Sequence, residues 1–595
     1  MSVIKKKQPV HVEAPVEESD SELSQMSEND GFEEQVEDEV EEEAYEEENI
    51  EEPANEADTP EAAEKKRQAN SEARNVAKKL KLERQGQRPH AETVAAAKKV
   101  WETARRRDMK PEARARPLQE LLGLLKGKYI DMILKHDASR MVQTCVKYGS
   151  SEDRMSIARE LQGSFVAVAR SKYGKHIIRR LLQFCPSMRR TIANEFQGQV
   201  IKSLRQVDAS SVLEALYAEY MNAKEKNALL LEFYGPEYVL LQMERQKKKQ
   251  GADTTPVPVL AEIIAKGPEK RLSALKHLRE AIDDLVNKNL FQHSLIHRLM
   301  LEYVTYEDVA KVQDWMSTFE EKFVEILHTF EGARVVCRCL AVASSKQRKS
   351  LIKTLKPFVG KISREEFGHQ VLITAFALVD DTVLLRTSLL SELLKEGLEA
   401  VLGDKYSAKV VAFLVAFKGN LDGVRHLLSS PSVEYIKICE AAATAAGTSK
   451  KDPANRANEL RAEIAEVVEK YYSVENIQSI LMSSIGDSAN LLIEASLAFE
   501  SVYSALLGEI TEEVLESADA RGLLKKLGRR LTTAQSEIFY NTVFKSNESI
   551  FESEAVYVLL ALLAANPELK KEIPIKKLSR SKSLHAKSLL EKLTN

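Results

Sequence analysis

The sequence predicts an all-α chain: a superhelical solenoid of stacked repeats in two arrays, behind a disordered acidic tail. Aromatics make up only 6% of its 595 residues and it holds just 23 glycines and 17 prolines. That leaves little punctuation for a sheet-rich fold, whereas a hydrophobic fraction of 44% is enough for a core. After Pro117, apolar residues recur at helical spacing almost without a break. The segments LKGKYIDMILKHDASRMVQTCV, LQGSFVAVARSKYGKHIIRRLL and FQGQVIKSLRQVDASSVLEALY align on Gly127, Gly163 and Gly198, which are 36 and 35 residues apart. This is the period of stacked helical repeats.

Residues 1–64 hold 24 Asp and Glu against Lys5, Lys6 and Lys7, so a net charge of −4 conceals −21 in this tail and +17 on the rest. Runs such as Glu41-Glu42-Glu43 carry almost nothing to bury, and the segment is expected to be disordered. It is read as a solvated tail, or as a nucleic-acid mimic that occupies a basic surface or recruits a basic partner. Residues 65–117 form a basic helical arm with Lys65-Lys66-Arg67, Lys78-Lys79, Lys98-Lys99 and Arg105-Arg106-Arg107. Such dense positive charge suits nuclear import and phosphate neutralisation alike.

The first array spans 118–243. Each unit reads as a short helix after its glycine followed by a second helix, in which Ile177, Ile178, Leu181 and Leu182 exemplify the apolar face. A helix pair cannot close a core alone, so successive pairs must stack. At 244–258 the periodicity fails in ERQKKKQGADTTPVP, a loop between arrays. Degenerate units resume over 259–440 at FQHSLIHRLM, FEGARVVCRCL, FGHQVLITAF and YSAKVVAFL. A linker at 441–457, a helical extension at 458–566 and a basic tail at 567–595 complete the chain.

No phosphate-cradling GxxxxGK[ST], GxGxxG after a strand, GxSxG or HExxH occurs, so an enzyme is not expected and no cofactor is implied. His293 and His297 stand four apart but lack an intervening acid or a third ligand. Cys337 and Cys339 form a lone CxC, read as two faces of a buried helix. Five scattered cysteines, an N-terminus without an apolar h-region and a best apolar run of only Val556–Ala565 predict a cytosolic or nuclear protein with no membrane association.

YGKHIIRRLL at Tyr173, with its relatives around Ser139 and Ser210, resembles the second helix of Puf (Pumilio) repeats. Over about 118–565 the whole arrangement resembles the nucleolar Puf-A-like family. The resemblance implies that three side chains at i, i+1 and i+4 meet one RNA base, the outer two at its edge and the middle one stacking. Carried over, the triplets are Ser139, Arg140, Gln143; Lys175, His176, Arg179; and Ser210, Ser211, Glu214. The first looks like an adenine reader, the third has guanine-type edge groups, and the second suits phosphate.

Farther on, the equivalents are Gln292, His293, Ile296; Ala333, Arg334, Cys337; His369, Gln370, Ile373; and Ala408, Lys409, Ala412. Most cannot bond a base edge, so the code is lost there while Arg334 and Lys409 still offer charge. Together with Arg105, Arg106 and Arg107, these side chains predict sequence-tolerant, salt-sensitive binding of structured RNA.

The family resemblance implies precursor ribosomal RNA as ligand, pre-60S assembly factors or ribosomal proteins as partners, and a nucleolar location. The alternatives are a sequence-specific repressor of particular messages, with a role in translational control, and an armadillo- or HEAT-like protein scaffold.

Overall fold

The computed structural model describes residues 89–106, 108–240, 259–472, 474–483, 487–545 and 548–594. The acidic tail, most of the basic arm, Arg107 and the loop at 244–258 lie outside them. The chain divides into two compact units, Met1–Glu92, of which only 89–92 are described, and Thr93–Asn595, where the following geometry lies apart from the first two residues of α1.

Among the described residues every regular element is helical. The segment read as a basic arm carries α1 (Ala91–Ala104) and α2 (Pro111–Leu125). α2 runs straight through Pro117 because Leu118, Leu121, Leu122 and Leu125 bury one face, and that burial outweighs the missing N–H.

A repeat consists of three helices, one more than the sequence suggested. A short helix follows each glycine (Tyr129–Ile133, Phe165–Ala169, Val200–Leu204). A long second helix comes next: α3 (His136–Tyr148), α4 (Gly174–Phe184) and α5 (Val207–Ala215). An outer helix closes the unit, as in Ser151–Leu161, Arg189–Phe196 and Ala223–Leu230.

The glycines that set the repeat have positive φ: Gly127 (76°), Gly163 (87°) and Gly198 (84°). A side chain is strained there, and the backbone turns so that two N–H groups face one carboxylate at the end of the same unit's outer helix. Gly127 and Tyr129 donate to Glu160, each at 2.9 Å. Gly163 and Phe165 donate to Glu195 at 2.6 and 3.0 Å, and Gly198 and Val200 donate to Glu232. Charged hydrogen bonds of this kind contribute about 1.5–3 kcal/mol each. Glu195→Ala is therefore expected to cost about 3 kcal/mol of stability, seen as a lower urea midpoint at unchanged m-value.

Arginines on the outer helices cap the second helices. Arg154 donates to the carbonyls of Val146 (2.9 Å) and Lys147 (3.1 Å). Arg189 binds Leu182 O at 2.6 Å, and Arg348 binds Leu340 O and Ala341 O at 3.0 and 3.2 Å. These guanidiniums satisfy the last carbonyls of a helix and complement its dipole. They count toward the chain's positive charge but serve its own backbone.

The second helices stack into one ladder. α3 packs on α4 and α4 on α5. The extension of α5, Leu216–Tyr220, meets α6 (Ser294–Tyr306), so the ladder continues past the undescribed loop. Then follow α7 (Phe330–Val342), α8 (Gly368–Leu378) and α9 (Lys405–Ala416).

The segment read as a linker at 441–457 is largely helix. α10 (Ser430–Ala445) runs to Ala445 and another helix starts at Pro453. The turn between them is pinned by the carboxylate of Asp380, which accepts from Lys450 N, Lys451 N and the buried Arg456 guanidinium. Beyond it the ladder resumes with α11 (Asp487–Ala498), α12 (Ala518–Gly528) and α13 (Val556–Ala565). The basic tail also folds: a helix at Leu584–Thr594 lies against α13 and buries Ala586 and Leu589. No helix among the described residues is long and apolar enough to cross a membrane.

Candidate nucleic-acid interface

The triplets of the first array sit on α3, α4 and α5, which pack side by side. The first members of the first two triplets, Ser139 and Lys175, reach the neighbouring unit, whereas Ser210 bonds its own helix. Ser139 is fully buried and its hydroxyl donates to Tyr173 O at 3.0 Å, at the start of α4. Ser210 is buried and donates to Val207 O at 2.8 Å, and Ser211 donates to Asp208 O at 2.7 Å. Gln143 bonds Ser139 Oγ at 3.3 Å and accepts from Arg180 Nε at 3.3 Å. Glu214 Oε1 accepts the Ser294 N–H at 2.8 Å, capping α6. Ser139, Ser210 and Glu214, expected at base edges, are thus engaged within the protein.

The cationic members face outward. Arg179 is exposed, and Arg140 and His176 are half-buried. Lys175 reaches across to Asp208, 3.3 Å away, in the next repeat. At the end of α1, Arg105 is exposed, lies over the Trp101 ring at 4.7 Å and pairs with Glu102 at 3.2 Å. Arg106 is also exposed. Between residues 93 and 240 there are 26 Lys and Arg against 16 Asp and Glu, whereas 259–440 holds 25 against 24. The excess charge belongs to the first array.

The second array differs in two ways. At α6 the register is five residues later than the sequence suggested. His297 is fully buried and bonds Thr329 at the start of α7, as Ser139 bonds Tyr173 at the start of α4. The triplet there is His297, Arg298, Leu301, not Gln292, His293, Ile296. In the earlier set Gln292 and His293 fall before α6 begins and Ile296 is buried in its first turn, because the FQH motif that suggested it belongs to the preceding turn.

The face at α7 is covered by the chain's own α10. Arg334, expected to contact RNA, lies between the rings of Phe330 and Tyr435, 4.0 and 4.3 Å from their centroids. Tyr435 donates to Arg334 O at 2.9 Å, and Arg338 donates to Ile438 O at 3.4 Å. Burial pulls the Arg334 pKa below its ordinary value. The guanidinium is a packing element, so Arg334→Ala is expected to leave RNA affinity within twofold of wild type while lowering the melting temperature by several degrees. Lys409 stays half-exposed at the edge of a separate cleft.

Cys337 and Cys339 are buried thiols, with burial pushing the first up to about 12. No cluster of three or more His, Cys, Asp and Glu able to hold a metal occurs among the described residues.

Comparison with known proteins agrees with this geometry. No family model matches the chain. It is 30% identical over 436 residues to Pumilio homology domain family member 6 of Schizosaccharomyces pombe, covering 72% of this chain and 63% of that one. It is 28% identical over 454 residues to human Pumilio homolog 3, covering 76% and 65%. The crystal structure of human Puf-A superposes with a TM-score of 0.69 at 24% identity, over 84% of this chain and 99% of that one. The chain belongs to the Puf-A-like Pumilio-homology family.

As a Puf-A-like protein it spans just under two thirds of the length of these two curated relatives. A second structure of human Puf-A, described as a complex with DNA, superposes at 0.70 with 24% identity. The Puf-A-like ladder holds features the sequence reading passed over. The carboxylates of Glu160, Glu195 and Glu232 had a readable signal, since each stands 32 to 34 residues past its glycine. The covering helix α10 had none, because its contacts with α7 span about a hundred residues.

Proposed function

We propose that this Puf-A-like protein grips RNA with little regard to sequence, through the face built by Arg140, Lys175, His176 and Arg179 and continued by Arg105 and Arg106. The observation that carries the reading is the coincidence of an outward cationic row with the only array that has a clear positive excess. Phosphate contacts position a protein without reading letters. Base-edge reading is disfavoured because the edge-type groups Ser139, Ser210 and Glu214 already have partners inside the fold.

The cargo we infer is ribosomal precursor RNA during large-subunit assembly, with pre-60S assembly factors or ribosomal proteins as neighbours and the nucleolus as location. Human Puf-A forms a complex with DNA, which fits recognition of a polyanion's backbone.

Filter binding should give a steep loss of affinity with salt and near-equal affinity for scrambled RNAs. In-cell crosslinking with sequencing of the attached RNA should return mostly ribosomal reads from a nucleolar pool. A short enriched motif in messages would overturn the reading in favour of translational control.

A further inference from the structure

A cleft of about 470 Å³ opens between α9, α11 and α12. Its floor is aliphatic, made by Ala408, Ala412, Leu427 and Ile493. Its rim carries Lys409, Lys526, Arg529 and Arg530, the last three exposed. The single carboxylate lining it, Glu494, is buried and already engaged: Arg530 Nη2 donates to it at 2.9 Å and His426 Nε2 lies 2.8 Å from its other oxygen. The local balance is therefore strongly positive around an apolar floor.

We propose that this cleft docks an acidic peptide segment of a partner protein through one aliphatic anchor. Two features select peptide over nucleic acid. No Phe, Tyr or Trp lines the cleft, so it lacks the stacking platform on which single-stranded bases rest. A cavity of this size with an aliphatic floor has room for a leucine-like side chain together with its flanking backbone, with neighbouring carboxylates reaching the rim. The surrounding array has no charge excess, so the attraction is local to the cleft rather than part of the first array's field. Arg530 commits both Nη1 and Nη2 to the two oxygens of Glu494, so Lys409, Lys526 and Arg529 are the rim cations left to meet a peptide carboxylate. This site is independent of the RNA-binding face and does not rest on that reading.

The test uses the full chain and a fluorescein-labelled ten-residue Asp/Glu peptide with one central leucine, read by anisotropy. The wild type should bind it at least tenfold more tightly than a peptide whose leucine is replaced by serine. The double variant Lys526→Glu/Arg529→Glu should lose at least tenfold, and Asn490→Trp, which fills the cleft from its exposed edge, should lose a similar factor. Both should keep the wild-type circular-dichroism melt and unchanged affinity for single-stranded RNA. Lys395→Glu, an exposed reversal elsewhere, should bind peptide as the wild type does. Equal binding of the serine peptide overturns the proposal, since the apolar floor would then be unused. Loss of RNA affinity in the Lys526→Glu/Arg529→Glu variant, or displacement of the peptide by RNA one for one, overturns it by making the cleft a nucleic-acid subsite.

Discussion

Replacing Arg140, Lys175 and Arg179 together by alanine is expected to lower affinity for single-stranded RNA about 50-fold at 0.15 M salt. Each phosphate contact on a single strand contributes about 0.7 to the slope of log affinity against log salt, so three contacts contribute about 2. Across the roughly sevenfold interval between 0.15 M and 1 M salt, where such contacts are screened out, that slope amounts to about 50-fold. The same variant should show a slope shallower by about 2, and the loss should be uniform across RNA sequences. Filter binding at four salt concentrations measures both quantities. Stability should fall slightly, since Arg179 is exposed but Lys175 loses its ion pair with Asp208 in the next repeat. An unchanged slope would place the gripping face elsewhere on the solenoid.

Acid should destabilise the protein between pH 7 and 4, and histidine burial is the cause. His297 is fully buried; its Nε2–H donates to Phe291 O at 2.6 Å and its Nδ1 takes the Thr329 hydroxyl at 2.6 Å. That arrangement suits a neutral ring, and burial lowers the pKa from 6.5 to about 4. His369, 5% exposed and stacked on Tyr406, is likewise lowered by burial to about 4. Between pH 6.5 and 4 the unfolded chain binds protons at these positions and the native state does not. Stability is therefore complete above 6.5 and is lost as pH falls toward 4, by about 3 kcal/mol for each histidine.

Glu232 acts in the opposite sense. Burial pushes it up to about 7, so between about 4.5 and 7 the native state takes up a proton that the unfolded chain does not, and stability rises as pH falls through that window. The three together give a net loss of about 3 kcal/mol between pH 7 and 4. Urea unfolding at pH 7.5, 6, 5 and 4 should show it. His297→Gln should make the profile nearly flat, and Glu232→Gln should roughly double the fall. A His297→Gln profile as steep as the wild type's would remove His297 as the source.

Helical class, repeat period and the first-array register were written locally. Gly127, Gly163 and Gly198 mark left-handed turns that favour glycine, and each stands 13 residues before the middle triplet position (Arg140, His176, Ser211), so a single line of sequence carries the repeat. Among the degenerate repeats Gly397 (φ 89°) keeps that punctuation before α9, whereas the left-handed residue before α6 is Asn289 (φ 57°), and the triplet there was displaced by five residues until the buried His297–Thr329 bond set it.

The sequence by itself determined that the chain is a stack of helical repeats and which residues could be cationic, because periodicity and charge are properties of neighbours along the chain. Only the tertiary structure decided which cations are available. Arg154, Arg189 and Arg348 cap helices, Arg334 lies beneath Tyr435, and Arg179 faces solvent. These partners come from turns and helices up to about a hundred residues away, and exposure depends on what folds over a side chain, a property of three-dimensional packing that no local spacing encodes.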